Sequence, residues 1–215
     1  ETCARIVPTY YVEAAAEKGV HVLVEKPLTM NYKEAVELHG LSRKLNMILM
    51  VGHIYCYNPA VNHIKDLMNH GKLGKLHYGI GLRMGLGPIR NDASCTWDLA
   101  THDITMLDYL LNEMPIYVSA QAVSFLQEDE GIYDYATIQL KYERGFQFSL
   151  TVSWYAAEKV RSWYLVGSES MLKFDDMNKS APITIYDKST TLAPSAKYDK
   201  HHANCVGIRE GDAVI

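Results

Sequence analysis

Two short apolar segments around a predicted helix constrain the fold more than any other feature of this sequence. Residues 20–24 are apolar apart from His21, as in a strand covered on both faces, and residues 47–51 form a second, continuously apolar segment. A helix is predicted before each segment, over residues 11–18 and from Asn31 onward, where Asn31 and Glu34 have the spacing of a capping box. Helices alternating with strands are typical of a parallel α/β sheet. The fold class predicted for the start of the chain is therefore α/β.

The pattern changes near residue 58, where a second domain is predicted to begin. Pro59 suits the first turn of a helix. Beyond it, one further helix is predicted over residues 97–111, and strand-like segments occur at residues 76–84, 135–142, 146–153, 163–166 and 171–174. We predict a truncated parallel sheet over residues 1–57, and an α+β domain with a large, mainly antiparallel sheet over residues 58–215 that is cut short at its C-terminal end.

Composition narrows the class of partner. The 215 residues are 48% apolar and 21% charged, with a net charge of −4, which indicates a globular protein without broad attraction for nucleic acid or an anionic membrane. A small molecule is therefore a better candidate for the partner than nucleic acid or a membrane. The cysteines show no C-x-x-C spacing, so neither a disulfide framework nor a zinc site is indicated, and the cytoplasm is the expected location. They are Cys3, Cys56, Cys95 and Cys205.

Three polar residues carry the predicted chemistry. Asp98 and His102 are one helical turn apart, so both project from one face and can form a general-base pair. Lys26 lies in a Glu-Lys-Pro turn at the end of the first strand, and ligands gather at the carboxyl ends of strands in open α/β sheets. The alternative is an ordinary helix with a solvated aspartate, together with a surface lysine.

Four motifs in this order resemble the Gfo/Idh/MocA family of nicotinamide-dependent sugar and polyol oxidoreductases. They are V-L-V-E-K-P ending at Pro27, the Gly52-His53 pair, Tyr57-Asn58-Pro59-Ala60, and W-D-L-x-x-H-D ending at Asp103. The resemblance covers almost the whole chain. It implies that residues 1–57 are the C-terminal part of a Rossmann dinucleotide-binding domain. Residues 58–215 would then be a domain for substrate binding and oligomerisation.

The resemblance also implies roles for individual residues. The catalytic residues would be Lys26, Asp98 and His102. The residues on the cofactor side would be Glu25, Lys26, Pro27 and His53, with a cis peptide bond expected at Lys26-Pro27. The residues that meet substrate would be Tyr57, Asn58, Arg83, Arg90 and Lys159, with Arg161 as a further cation. Residues 153–161, together with the spacing of Arg83 and Arg90, are similar to the UDP-N-acetylglucosamine 3-dehydrogenases of the family.

The chain departs from the family pattern at three places, the first being residues 1–8, where Pro8 stands at the position of a histidine common in the family. Cys56 stands where members often carry arginine, which puts one contact to cofactor or substrate in doubt. The G-x-G-x-x-G loop that cradles pyrophosphate is absent, and the glycines at positions 79, 81, 85 and 87 lack the helix that such a loop requires. We therefore expect about 65 to 75 residues to precede Glu1, and the chain alone to bind cofactor poorly. The choice between NAD and NADP would also depend on those residues.

The resemblance implies hydride transfer between NAD(P) and a secondary hydroxyl of a sugar, polyol or nucleotide sugar, by a homodimer or homotetramer. One alternative is transient use of the cofactor for elimination or glycoside cleavage. The other is a non-catalytic subunit that binds sugar or serves in assembly. No metal is expected, because His201, His202 and Cys205 lack a fourth ligand at a sensible spacing.

Overall fold

The computed structural model describes residues 9–128, 131–192 and 206–214. No helix within these ranges is long and apolar enough to cross a membrane. The helices are α1 (Thr9–Glu17), α2 (Tyr32–Lys44), α3 (Pro59–Asn69) and α4 (Thr101–Leu111), with a 3₁₀ turn at Ile54–Tyr57 and a π-helical turn at Thr96–Ala100. The strands are β1 (Val22–Val24), β2 (Leu49–Val51), β3 (Leu76–Met84), β4 (Tyr117–Val123), β5 (Tyr135–Lys141), β6 (Gln147–Ser153), β7 (Val160–Gly167), β8 (Met171–Asp175), β9 (Ile183–Leu192) and β10 (Val206–Val214).

The first part of the chain forms a small parallel sheet, as predicted. Strands β1 and β2 pair in parallel, and α1 and α2 pack with them around a core of their own. The N-cap of α2 differs from the predicted capping box. Asn31 Oδ1 accepts from Lys33 N, but the Asn31 N–H donates to Thr29 Oγ1 rather than to Glu34. Thr29 therefore takes the part predicted for Glu34, because it is already close in the turn that follows Pro27.

The second part contains an eight-stranded sheet with the order β10-β9-β8-β7-β3-β6-β5-β4. Among the described pairings of this eight-stranded sheet, only β3–β6 is parallel, so the predicted large, mainly antiparallel sheet is confirmed. Strands β4, β9 and β10 were not predicted. Nearly all residues of β4 are exposed at the sheet edge, although residues 118–122 alternate apolar and polar side chains and so carried a strand signal.

Helices α3 and α4 cover one face of this sheet and complete its core. Gly79 and Gly81 lie on that buried face of β3. A β-carbon added at Gly79 would lie 2.6 Å from the ring of Phe148, and one at Gly81 would lie 2.8 Å from it. These glycines therefore make room for a core aromatic, which agrees with their rejection as a phosphate-binding loop.

A π-helical turn interrupts the long helix predicted over residues 97–111. It spans Thr96–Ala100 and continues directly into α4, so that Asp98 lies in the π turn and His102 in the α-helix. Turns of this kind recur at functional sites. Here the turn places Asp98 opposite the end of β1.

Candidate active site

Lys26 connects the small sheet to the π turn. It directly follows Glu25 at the end of β1, and the Lys26-Pro27 bond is cis, as predicted. Its ammonium donates to Asp98 Oδ1 at 3.0 Å and also to the backbone carbonyl of Asp98. Two groups of one residue thus hold the lysine at the carboxyl end of the strand.

The carboxylate of Asp98 serves several donors at once. Oδ1 receives Lys26 and lies 3.7 Å from Arg90 Nη1, and Oδ2 accepts from Trp154 Nε1 at 3.2 Å. Burial alone would raise the pKa of Asp98, but Lys26, Trp154 and Arg90 outweigh it and hold the pKa below its ordinary value. The hydrogen bonds of Asp98 thus go to Lys26 and Trp154 rather than to His102. The expected hydrogen-bonded pair of Asp98 and His102 is therefore not formed, and Lys26 and Trp154 are the partners of the carboxylate.

His102 shares a cavity of about 300 Å³ with Lys26, Asp98 and Glu25. Burial, together with the positive charges of Lys26, Arg83 and Arg161, lowers the pKa of His102 to about 3, and the charge of Asp98 offsets only part of this. The imidazole is therefore neutral at physiological pH, and the burial and positive charges that keep it neutral also make it a weaker base than an ordinary histidine.

A second cavity of about 350 Å³ continues the first, and the two share Arg83, Asp98, Leu99 and Arg161. Its outer lining consists of the Gly85–Gly87 segment, Trp154 and the exposed Lys159. The two cavities thus form a cleft that runs from His102 to the positive side chains of Arg161 and Lys159. An anionic group of a bound molecule would be stabilised there.

Arg83 lies beneath the cleft and is only 4% exposed. Its Nε donates to Asp103 Oδ2 at 2.5 Å, Nη2 donates to Asp103 Oδ1 at 3.3 Å, and Nη1 donates to the Tyr55 hydroxyl at 3.0 Å. Asp103 also accepts from Trp163 Nε1 at 2.7 Å. The guanidinium is therefore already bonded inside the protein. The structure gives Arg83 a supporting position, and its predicted contact with substrate stays a prediction.

Two family models match the chain. The model of the GFO/IDH/MocA C-terminal domain matches residues 61–173, and the model described as oxidoreductase family, NAD-binding Rossmann fold, matches residues 9–53. The chain belongs to the Gfo/Idh/MocA family. The matches lie on either side of the domain boundary predicted between residues 57 and 58, which stays a prediction.

Known members differ in what they act on. The chain is 26% identical over 183 residues to UDP-N-acetylglucosamine 3-dehydrogenase of Acidithiobacillus ferrooxidans, covering 85% of this chain and 56% of that protein. A structure of that enzyme superposes with a TM-score of 0.74 at 22% identity, covering 100% of this chain and 64% of the other. The chain is also 26% identical over 129 residues to 2,7-anhydro-N-acetylneuraminate hydratase of Mediterraneibacter gnavus, covering 56% of this chain and 35% of that protein. It thus spans little more than half the length of the first relative.

A structure of an inositol dehydrogenase homologue from Azotobacter vinelandii, complexed with NADH and myo-inositol, superposes with a TM-score of 0.76 at 20% identity. The alignment covers 97% of this chain and 54% of that one. At this identity the match establishes a shared fold. It agrees with the parallel sheet and the large antiparallel sheet described above.

In this Gfo/Idh/MocA chain, Pro27 and His53 lie beside a largely apolar cavity of about 360 Å³, which Trp97 and Thr105 also line. Thr105 Oγ1 donates to Thr101 O at 2.7 Å, so the 3.2 Å contact between His53 Nδ1 and Thr105 Oγ1 has the histidine as donor. Burial, together with the charge of Lys26, lowers the pKa of His53. A neutral His53 with a free Nε2 suits the cofactor side of the Glu-Lys-Pro turn, the role predicted for it.

The other predicted substrate residues lie outside the two joined cavities or at their edge. Tyr57 is 68% exposed at the surface. Asn58 Oδ1 accepts from Ala60 N at 2.8 Å and thereby caps α3. Arg90 pairs with Asp92 through two hydrogen bonds, one of 2.7 Å, and borders the site through Asp98. Their contacts with substrate stay predictions.

Cys56 is half-buried, and burial raises the pKa of its thiol. A thiol carries no positive charge in either protonation state, so Cys56 cannot replace the charge of the arginine found at its position in many members. Among the described residues, no three His, Cys, Asp or Glu side chains are grouped for a metal ion. His201, His202 and Cys205 lie outside the described residues.

Sequence reasoning gave no role to Tyr55, Asp103, Trp154 or Trp163. Part of the signal was present, since Arg83 falls on the buried face of β3 and Asp103 falls on the apolar side of α4. A charge on the apolar side of each of two elements indicates a buried ion pair. Nothing in the sequence indicated which tyrosine or tryptophan would meet that pair, because those contacts join residues far apart in the chain.

The lowered pKa of His102 predicts how stability depends on pH. In the unfolded chain His102 has an ordinary pKa of about 6.5 and binds a proton below that pH. In the folded protein His102 stays unprotonated until the pH falls to about 3. The free energy of unfolding should therefore fall as pH drops below about 6.5, with up to about 1.4 kcal/mol per pH unit from this residue. Urea unfolding between about pH 6.5 and 4.5 should show a shallower fall in His102→Gln. Equal slopes in the two proteins would contradict the lowered pKa.

Proposed function

We propose that the full-length gene product is an NAD(P)-dependent dehydrogenase that acts on a secondary hydroxyl of a sugar, with a nucleotide sugar as the favoured substrate. The observation that carries the proposal is the meeting of Lys26, Asp98 and His102 in one cavity at the end of β1. A hydride leaves a carbon only if the attached hydroxyl gives up its proton, so a base and a cation are needed near that oxygen.

Each residue has a distinct part in this reaction. His102, which is neutral, accepts the hydroxyl proton. The ammonium of Lys26 stabilises the charge that develops on the oxygen. Asp98 holds Lys26 through its carboxylate and carbonyl, and this fixes the cation before substrate arrives. The nicotinamide, when bound, supplies the hydride acceptor. The cavity that Pro27 and His53 line fits a cofactor next to the Glu-Lys-Pro turn.

The nucleotide-sugar preference is supported by the charges of the outer cleft. Lys159 is exposed there, and Arg161 lines both cavities with its side chain 36% exposed. A diphosphate group would find two cations within one cleft. The similarity to the known UDP-N-acetylglucosamine 3-dehydrogenase, which covers 85% of this chain, also supports a nucleotide sugar as substrate.

The test is to measure binding of NAD(H) and NADP(H) to the full-length gene product, and then turnover with UDP-N-acetylglucosamine, dTDP-glucose and myo-inositol. We expect NADH formation with a nucleotide sugar. Lys159→Gln should raise KM for that substrate about tenfold or more through loss of a charge-assisted contact. Lys141→Gln, which removes an exposed lysine from β5, is the matched control and should leave KM unchanged. Absence of both binding and turnover would favour the non-catalytic subunit.

Elimination with transient use of the cofactor is the second candidate, favoured by the identity to 2,7-anhydro-N-acetylneuraminate hydratase. The same assay separates the two reactions, because elimination consumes substrate without accumulating NADH. Assembly as a homodimer or homotetramer is also a proposal. It is supported by the exposed apolar side chains Tyr78, Ile80 and Tyr164 on the uncovered face of the large sheet.

A further inference from the structure

Tyr55 lies where the candidate active site meets the core. It belongs to the 3₁₀ turn Ile54–Tyr57 directly after β2, and only 7% of it is exposed. Its ring stands edge to face against the imidazole of His102, with 5.1 Å between the ring centroids and 61° between the ring planes. Aromatic pairs favour this arrangement. The His102 ring therefore has a defined packing partner on one side.

The hydroxyl of Tyr55 fixes the position of its ring. It donates to Asp176 Oδ2 at 2.9 Å and accepts from Arg83 Nη1 at 3.0 Å, with Arg161 Nη1 at 3.3 Å. A tyrosine hydroxyl has one proton to donate and lone pairs to accept with, and both functions are used here. The ring therefore cannot move away from His102 unless the hydroxyl breaks its hydrogen bonds to these buried or half-buried charged side chains.

Arg83 links the same tyrosine to the backbone that carries His102. Its guanidinium stacks over the Tyr55 ring, 4.7 Å from the centroid, and bonds Asp103, the residue that follows His102. Trp163 anchors Asp103 in turn. One arginine thus ties together the ring that contacts His102 and the helical turn on which His102 lies.

We propose that Tyr55 is a positioning residue, which holds the imidazole of His102 toward the cavity that it shares with Lys26 and Asp98. This inference rests on the proposed function of His102 as the proton acceptor. The competing interpretation is that Tyr55 is an ordinary core residue, whose loss would lower stability and nothing more.

Three variants of the full-length gene product separate these interpretations. Tyr55→Leu removes the ring from His102, and Tyr55→Phe keeps the ring while removing the hydroxyl. Phe146→Leu is the matched control, because Phe146 is a core aromatic, 3% exposed, in the turn between β5 and β6 at the other end of the sheet. It gives a similar loss of apolar packing without touching His102.

The first readout is the proton titration of His102 by NMR, with the signal assigned from His102→Gln. In Tyr55→Leu, the smaller side chain no longer covers the imidazole and leaves it more accessible to solvent, so the His102 pKa should rise by about one unit or more toward its ordinary value. Phe146→Leu should titrate like the wild type, and Tyr55→Phe, which keeps the ring but loses the bonds that fix it, should shift less than Tyr55→Leu. An unchanged titration in Tyr55→Leu, or an equal shift in either of the other variants, would overturn the proposal.

The second readout is turnover of the substrate identified for the wild type. Tyr55→Leu should lower kcat about tenfold or more while KM changes less than about threefold, since a misplaced base affects the chemical step. A rise in KM with kcat unchanged would contradict positioning. If no substrate is found for the wild type, the titration still tests the contact with His102, so failure of the proposed function and failure of the positioning role can be told apart.

Discussion

Replacing His102 by alanine should lower kcat of the full-length gene product about 100-fold or more, the size expected when a general base is lost. His102 lines the cavity that it shares with Lys26 and Asp98 as a neutral imidazole, and Lys26 is paired with Asp98, so we assign the role of proton acceptor to His102. Without the imidazole, the hydroxyl proton would have to leave to water. The measurement is steady-state kinetics with the nucleotide sugar and the nicotinamide cofactor.

The control is His63→Ala, which changes an exposed histidine of α3 and should leave kcat unchanged. Cofactor affinity of His102→Ala should also match that of the wild type. His102 lines the cavity shared with Lys26 and Asp98, whereas the cofactor is expected in the cavity lined by Pro27 and His53. Near-normal turnover by His102→Ala would remove it from the role of base and shift attention to Lys26.

Replacing Arg83 by methionine should lower the free energy of unfolding by about 3 to 5 kcal/mol. The change leaves the Asp103 carboxylate, 1% exposed, without its main counter-charge and with Trp163 as its remaining donor. Breaking one half of a buried ion pair has this cost because a charge stays in a medium of low polarity. Urea unfolding at neutral pH, followed by circular dichroism, measures the difference.

Arg144→Met is the matched control for that experiment. Arg144 is also paired with a carboxylate, Glu113 at 3.7 Å, but its side chain is 88% exposed, so we expect a change within about 0.5 kcal/mol. The double variant Arg83→Met with Asp103→Leu should recover much of the loss, since it removes both buried charges. A cost below about 1 kcal/mol for Arg83→Met alone would show that the pair is more hydrated than its burial indicates.

Local patterns in the sequence were sufficient to predict several helices and strands. The continuous apolar segment before Glu25 gave β1, the alternation of residues 76–84 gave β3, and Pro59 after Asn58 gave the start of α3. Strand β4 was missed although residues 118–122 alternate apolar and polar side chains, so its signal was present but confined to five residues. The π turn was also missed, since its spacing of apolar residues differs little from that of an α-helix over one turn.

The sequence by itself determined the family, the order of the two folding patterns and the candidates Lys26, Asp98 and His102, because these depend on motifs and on residues close together in the chain. Only the tertiary structure decided how the candidates interact. It joined Asp98 to Lys26, 72 positions away, rather than to His102, one turn away. It also placed Tyr55 against His102 and Arg83 against Asp103. Packing brings these side chains together across strands and helices. The spacing of residues along the chain can place Arg83 and Asp103 on buried faces, but it does not say which side chains meet there.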